Sequence, residues 1–149
     1  MLDVLVISEN NLGKNLIAST YLRALGGEFF TVSCAGFQSG PLNPLIQIMM
    51  KLEGYDLMRC DCPYSVIDLF EMGRSYDIII TVCPKRIDEK CPDFPNQRLR
   101  LNWGHCDPEK MTESRIDRLQ QTRIMRDNIK ANVISFIKDF KEGKFAELK

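Results

Sequence analysis

The sequence has no excess charge of either sign and no long apolar run, and each absence narrows the possible functions. Its 149 residues include 20 basic and 20 acidic side chains, so no overall field draws the chain to nucleic acid or to a membrane surface. No apolar run approaches the roughly 20 residues of a membrane span, and the amino terminus lacks a secretory signal pattern. We therefore expect one cytoplasmic domain over residues 1–149, without nucleic acid or membrane partners.

Histidine is also scarce, since His105 is the only one, whereas cysteine is abundant. Six cysteines are many for a reducing compartment, where stable disulfides are rare. They are Cys34, Cys60, Cys62, Cys83, Cys91 and Cys106. They do not form paired ligand clusters with zinc spacing, so we predict no metal site and no cofactor. Cys34 is predicted to lie in the core, and redox chemistry of the other thiols stays open.

The first residues of the chain predict a strand, a tight polar loop and a helix. The apolar run from Leu2 to Ile7 is typical of a strand buried on both faces of a parallel sheet. Ser8–Lys14 is polar with one glycine, and from Asn15 apolar residues recur at helical spacing. Such a loop directs backbone N–H groups and the positive end of the helix dipole to one point, where oxyanions bind. A plain turn without a ligand explains the pattern equally well.

The rest of the chain alternates predicted strands with predicted helices. The further strands are predicted at 28–34, 76–82 and 97–102, and the further helices at 44–52, 65–72 and from 111 to about 140. This alternation predicts an α/β three-layer sandwich whose parallel sheet is covered by helices on both sides. The loops after Ile7, Val82 and Asn102 would then face one crevice at the carboxyl edge of the sheet.

The segment between the second strand and the second helix, residues 35–44, is predicted to be a loop because of its Gly, Pro and Asn content. Asn43 is predicted to cap the second helix, with Pro44 in its first turn. The predicted buried stripe of this helix consists of Leu45, Ile48, Met49 and Leu52.

Five segments are distinctive in combination and span nearly the whole chain. They are V-L-V-I-S-E-N-N-L-G-K, A-G-F-Q-S-G-P-L-N-P, Y-D-I-I-I-T-V-C, L-N-W-G-H-C-D-P and R-I-M-R-D-N-I. Together they resemble the low-molecular-weight protein tyrosine phosphatases and, more closely, the thioredoxin-coupled arsenate reductases that share their fold. The resemblance implies a four-stranded parallel sheet in the flavodoxin-like order 2-1-3-4.

The family carries a Cys-x5-Arg loop, in which a thiolate attacks phosphorus or arsenic while the arginine and the loop N–H groups hold the oxyanion. Here Ser8 stands at the cysteine position and Lys14 at the arginine position. The resemblance implies an oxyanion-binding loop that consists of Ser8, Glu9, Asn10, Asn11, Leu12, Gly13 and Lys14. Of these, Asn11 matches the family, whereas Glu9, Leu12 and Gly13 depart from it, as does the following Asn15.

Neither substitution conserves the chemistry. Cationic surroundings lower a cysteine pKa from about 8.5 to roughly 3.5–7.5, but the same shift leaves a hydroxyl with a pKa above about 10. Lys14 keeps the positive charge of an arginine but lacks its planar guanidinium group, which can bind two oxygens at once. A solvated Lys14 without a partner, or a Lys14 paired with Glu9, is an alternative to anion binding.

Ser8 would need a general base to act as a nucleophile, and the candidates are His105 and Asp107. The resemblance gives Asp107, which Pro108 follows, the role of general acid to the leaving group. A hydrolase-like triad of Ser8, His105 and Asp107 is one alternative, and a solvent-exposed or locally hydrogen-bonded His105 is the simpler one.

Cys83 and Cys91 lie where the arsenate reductases carry two relay cysteines, which receive a disulfide from the nucleophile and pass it to thioredoxin. Without a thiol at position 8 this relay has no entry point. Two alternatives stay open: a Cys83–Cys91 disulfide that acts as a redox sensor, and a pair of inert thiols.

These observations predict a catalytically impaired relative that retains a weakened loop for a small oxyanion or a phosphorylated protein. One alternative is an active phosphatase or arsenate reductase that uses a relocated cysteine or Ser8, with thioredoxin as a partner. Another is a non-catalytic protein-interaction module. A trapping substitution at Ser8 alone is disfavoured, because Lys14 and the other loop positions differ as well.

Overall fold

The computed structural model describes residues 1–10, 13–57, 64–104 and 115–148. Over these ranges a four-stranded parallel sheet has the order β2-β1-β3-β4, with strands β1 (Leu2–Asn10), β2 (Phe30–Gln38), β3 (Ile78–Thr81) and β4 (Leu99–Asn102). The helices are α1 (Lys14–Gly26), α2 (Pro44–Lys51), α3 (Val66–Glu71), α4 (Lys85–Asp88) and α5 (Arg115–Lys141), followed by a short 3₁₀ helix (Ala146–Leu148). The predicted α/β architecture and strand order are confirmed.

β1 is central because it pairs with both β2 and β3. Its residues from Val4 to Ile7 are 0% exposed. Val4 and Val6 belong to the core cluster on the α1 and α5 side, and Leu5 and Ile7 to the cluster on the α3 side. An uninterrupted apolar run is therefore needed here, since both faces of the strand are covered by helices. Within the described ranges, no helix combines the length and apolarity needed to cross a bilayer.

Two strands extend beyond their predicted ends. β1 continues to Asn10 and β2 continues to Gln38, whereas the sequence predicted that they end at Ile7 and Cys34. Asn10 lies opposite Gln38 in the parallel ladder, so the polar ends of the two strands satisfy each other's backbone groups. The prediction of a loop over residues 35–44 is wrong for its first four residues, because backbone pairing does not depend on hydropathy.

α2 begins as predicted but buries a different face. The Asn43 side chain accepts hydrogen bonds from the backbone N–H groups of Leu45 and Ile46, at 2.9 and 3.5 Å. The buried residues are Ile46, Met49 and Met50, whereas Ile48 is 38% exposed and Leu52 70% exposed. The predicted stripe is therefore wrong at Ile48 and Leu52, whereas Met49 is buried as predicted and Leu45 is half-buried. Almost every position of this helix is apolar, so periodicity does not distinguish its faces.

α3 has a complete amino-terminal cap. The backbone N–H of Asp68 donates to Ser65 Oγ at 3.0 Å, and the backbone N–H of Ser65 donates to Asp68 Oδ2 at 3.2 Å. We expect Ser65→Ala to lower the free energy of unfolding by about 1 kcal/mol, measured by urea denaturation. Ser75→Ala is the control, because Ser75 is exposed and outside any helix. Equal stabilities of the two variants would contradict the role of this cap.

Candidate functional site

Ser8 lies in β1 and is 1% exposed. Its Oγ donates a hydrogen bond to the carbonyl oxygen of Asn10 at 2.6 Å. A hydroxyl has a single proton, so this bond commits the donor capacity of Ser8 to its own strand. The backbone of Ser8 lies opposite Gly36 in the β1–β2 ladder. The predicted polar loop therefore starts after Asn10 rather than at Ser8, because Ser8, Glu9 and Asn10 are strand residues.

The turn into α1 is held by Asn15, which is 0% exposed. Asn15 Oδ1 accepts a hydrogen bond from the Gly13 N–H at 3.0 Å, and Asn15 Nδ2 donates to the Ala35 carbonyl oxygen at 3.2 Å. The Gly13 N–H is thus used inside the protein. Asn15 departs from the family pattern, and its position links the turn to β2. Asn11 and Leu12 lie outside the described residues.

Lys14 is the first residue of α1 and is 3% exposed, so the alternative of a solvated side chain is wrong. A cation at a helix amino terminus opposes the helix dipole, and its burial costs desolvation. Helix formation therefore does not explain this lysine. Its charge acts to lower the pKa of Cys83, against the stronger effect of burial, so Lys14 lies near Cys83.

Cys83 and Cys91 are both free thiols, 0% and 7% exposed. Burial raises the pKa of Cys83 to about 11, and the nearby Asp88 carboxylate acts in the same direction. Burial likewise raises the pKa of Cys91 to about 11, opposed by the charge of Arg100. Both thiols are protonated at neutral pH, which is the opposite of an activated nucleophile.

Asp88 ties α4 to the neighbouring strands. Its Oδ1 accepts a hydrogen bond from Thr81 Oγ1 at 2.7 Å and one from Arg100 Nη2 at 3.2 Å. Arg100 Nη1 also donates to the carbonyl oxygen of Cys91 at 3.3 Å. The carboxyl end of the segment between the two thiols is therefore anchored to β3 and β4.

Asn102 anchors the other end of this segment. Its Nδ2 donates to the carbonyl oxygen of Cys83 at 3.0 Å and to Thr81 Oγ1 at 2.7 Å. Sequence reasoning missed Arg100 and Asn102 as contacts of the thiol segment. They occupy the polar positions of an alternating strand, and alternation alone indicates solvent exposure rather than contact with another loop.

Several predicted positions cannot be placed beside these residues. His105 and Asp107 lie outside the described residues, so the proposed general acid and the triad stay predictions. Cys34 is 7% exposed and belongs to the core cluster, as predicted, and it is disulfide-bonded. The described ranges contain no group of three or more His, Cys, Asp or Glu side chains that would hold a metal ion.

No family model matches the chain. Two arsenate reductases are similar in sequence. The enzyme from Halalkalibacterium halodurans is 28% identical over 110 residues, which cover 74% of this chain and 76% of that protein. Arsenate reductase 2 of Staphylococcus saprophyticus is 27% identical over 116 residues, which cover 76% of this chain and 84% of that protein.

Solved structures of the same kind share the fold. An arsenate reductase in the oxidized state has a TM-score of 0.76 and 21% identity, over 93% of this chain and 98% of that one. The tyrosine phosphatase AmsI of Erwinia amylovora has a TM-score of 0.71 and 18% identity, over 93% of each chain. A thioredoxin-dependent arsenate reductase of Corynebacterium glutamicum has a TM-score of 0.70 and 19% identity, over 96% of this chain and 63% of that one.

Proposed function

We propose that this chain, a relative of the arsenate reductases with the fold that they share with low-molecular-weight tyrosine phosphatases, is catalytically impaired and binds phosphate or arsenate weakly at residues 8–14. The observation that carries the proposal is the hydrogen bond that the Ser8 hydroxyl donates to the carbonyl oxygen of Asn10 at 2.6 Å, at the position that the family resemblance gives to the nucleophile. Among the described residues, no carboxylate accepts a hydrogen bond from this hydroxyl. A serine nucleophile requires a general base that accepts its proton, and no described residue has this role for Ser8.

The raised pKa values of the two free thiols support impairment over a relocated centre. Transfer to phosphorus, arsenic or a disulfide begins with a thiolate. With a pKa of about 11, Cys83 and Cys91 are each about 1 part in 10,000 thiolate at pH 7. A catalytic cysteine at either position would need a conformational change that exposes it.

Lys14 supports retention of oxyanion binding. Its buried ammonium lies at the amino terminus of α1, where backbone dipoles also favour an anion. The binding is expected to be weak, because an ammonium is a point charge without bidentate geometry and because the Gly13 N–H already bonds to Asn15. The negative charge of Glu9 next to Ser8 weakens it further.

Binding is tested by isothermal titration with phosphate and with arsenate. We expect Lys14→Met to weaken both at least about tenfold, since a hydrogen bond or ion pair to a charged ligand is lost. Lys51→Met, at an exposed position of α2, is the matched control. If the wild-type protein binds neither anion measurably, the result would contradict the proposal and favour a protein-interaction module.

Turnover is tested with p-nitrophenyl phosphate, and with arsenate plus thioredoxin. We expect the wild-type rate to equal that of Ser8→Ala, because the serine hydroxyl contributes no nucleophile. A rate that Ser8→Ala abolishes would identify Ser8 as catalytic, and one that Cys83→Ser or Cys91→Ser abolishes would identify a relocated centre. Either outcome would refute the impairment.

Thioredoxin is a second candidate partner, through an oxidised form of the chain. Cys91 lies close enough to Cys83 to contribute to its raised pKa, and both are free. Loss of two electrons and two protons to a peroxide would join them in a disulfide, which thioredoxin would return to two thiols. The solved relative from Corynebacterium glutamicum is described as thioredoxin-dependent. Thiol counting after peroxide, with and without reduced thioredoxin, tests this.

A further inference from the structure

A second concave site lies on the open side of β2, which is an edge strand. Its volume is about 320 Å³. The residues that line it are Arg23, Val32, Ser33, Cys34, Tyr64, Leu69, Arg74 and Tyr76, and we call it the β2-edge cavity. Ser33 precedes by three residues the Gly36 that lies opposite Ser8. The cavity is therefore about 10 Å along the strand from the candidate oxyanion loop.

Two guanidinium groups, those of Arg23 and Arg74, line this cavity. Arg23 donates from Nε and Nη2 to the carbonyl oxygen of Val32, at 3.3 and 3.1 Å, which leaves its Nη1 and its charge unused. The guanidinium of Arg74 has no ion pair or hydrogen bond within the described part of the chain. None of the described residues that line the cavity is Asp or Glu. Among the residues that the structure describes, the wall therefore carries two positive charges and no carboxylate.

Tyr76 adds a hydroxyl donor to the same wall. It is 8% exposed, and its hydroxyl has no hydrogen-bond partner among the residues that the structure describes. Its oxygen is not one of the fully buried polar atoms that lack a partner, so it reaches solvent and is accessible to a ligand. Burial raises the pKa of Tyr76, while the charge of the neighbouring Arg74 opposes the rise, so the phenol stays a protonated donor. The carbonyl oxygen of Val32, a lining residue, already accepts hydrogen bonds from Arg23.

We propose that the β2-edge cavity binds the phosphoryl group of a small organic phosphate monoester, independently of residues 8–14. Its wall offers donors and positive charge, so its ligand must supply several acceptor oxygens and negative charge. A phosphate monoester carries between one and two negative charges near neutral pH, since its second pKa is about 6, and so matches two guanidiniums better than a monoanion does. The ring of Tyr64, 42% exposed, borders the cavity and can cover the organic part.

The test is an NMR titration of the ¹⁵N-labelled full chain with phenyl phosphate, observed at the arginine Nε–H signals. We expect saturable shifts of Arg23 and Arg74 in the wild type, and the same shifts in Lys14→Met, where the candidate loop is disabled. Arg74→Gln should weaken binding at least about tenfold, and Tyr76→Phe several-fold. Arg86→Gln, at an exposed position of α4, should leave the affinity unchanged.

Three results would overturn the proposal. The first is the absence of saturable shifts at Arg23 and Arg74. The second is an unchanged affinity in Arg74→Gln, which is expected to fold because Arg74 is exposed. The third is equal affinity for phenyl sulfate, a monoanion of the same shape, which would refute the match of charges. Shifts that vanish in Lys14→Met would assign the anion to residues 8–14 instead, and so separate this proposal from the proposed function.

Discussion

Cys83 is expected to react with iodoacetamide at pH 7 about 100-fold more slowly in the native protein than in the unfolded chain. A rise in pKa from about 8.5–9 to about 11 lowers the thiolate fraction at least about 100-fold. The greater nucleophilicity of a more basic thiolate recovers about tenfold of this loss. Complete burial adds at least another factor of ten, because the reagent must wait for local opening.

The raised pKa of Cys83 also predicts how its alkylation rate depends on pH. Below the raised pKa the native thiol is protonated, so its alkylation rate should rise about tenfold per pH unit up to about pH 11. In the unfolded chain the rise should end near pH 8.5–9. Mass spectrometry of the alkylated peptides separates Cys83 and Cys91 from the other cysteines, and the same peptides labelled in concentrated guanidinium chloride are the control. Native labelling of either thiol at the unfolded rate would contradict both burial and impairment.

Ile80→Ala is expected to lower the free energy of unfolding by about 4 kcal/mol, near the upper end for a buried isoleucine. Ile80 is 0% exposed in β3, between Val6 of β1 and Leu101 of β4. Strands on both sides restrain the backbone, so the cavity left by three missing carbons cannot collapse easily.

Urea denaturation measures this effect, with two matched variants beside it. Ile80→Val should cost about 1 kcal/mol, since a single methylene is removed. Ile134→Ala, at a position of α5 that is 50% exposed, should change stability by no more than about 0.5 kcal/mol. A loss below 1 kcal/mol for Ile80→Ala would contradict the tight packing of Ile80 in the core.

The architecture was predictable because hydrophobic burial dominates it. The apolar runs of β1 and β3 mark strands covered on both faces, and alternation with helices then limits the topology to a parallel sheet. The sequence did not predict which face of α2 is buried. Ile46 and Ile48 are equally apolar, so only tertiary contacts decide which of them is buried. The composition of the sequence predicts which helices and strands form. Which face of a helix is buried depends on residues far along the chain.

The residues of the candidate site are proposed from the family resemblance, whereas their backbone conformation and burial come from the structure. The family resemblance located Ser8, Lys14, Cys83 and Cys91. It could not show that Lys14 is buried or that both thiols are protonated, because burial depends on packing from other elements. Arg100 was missed for a related reason, since its partners are 9 and 12 residues away in sequence.

The pairing of Asn10 with Gln38 has a consequence for protein engineering. Grafting Cys and Arg onto positions 8 and 14 would introduce the two side chains that the family resemblance implies, but residues 8–10 would stay part of β1. An enzyme redesigned on this scaffold must therefore also lose the last backbone pairs between β1 and β2, for instance through a proline in β2.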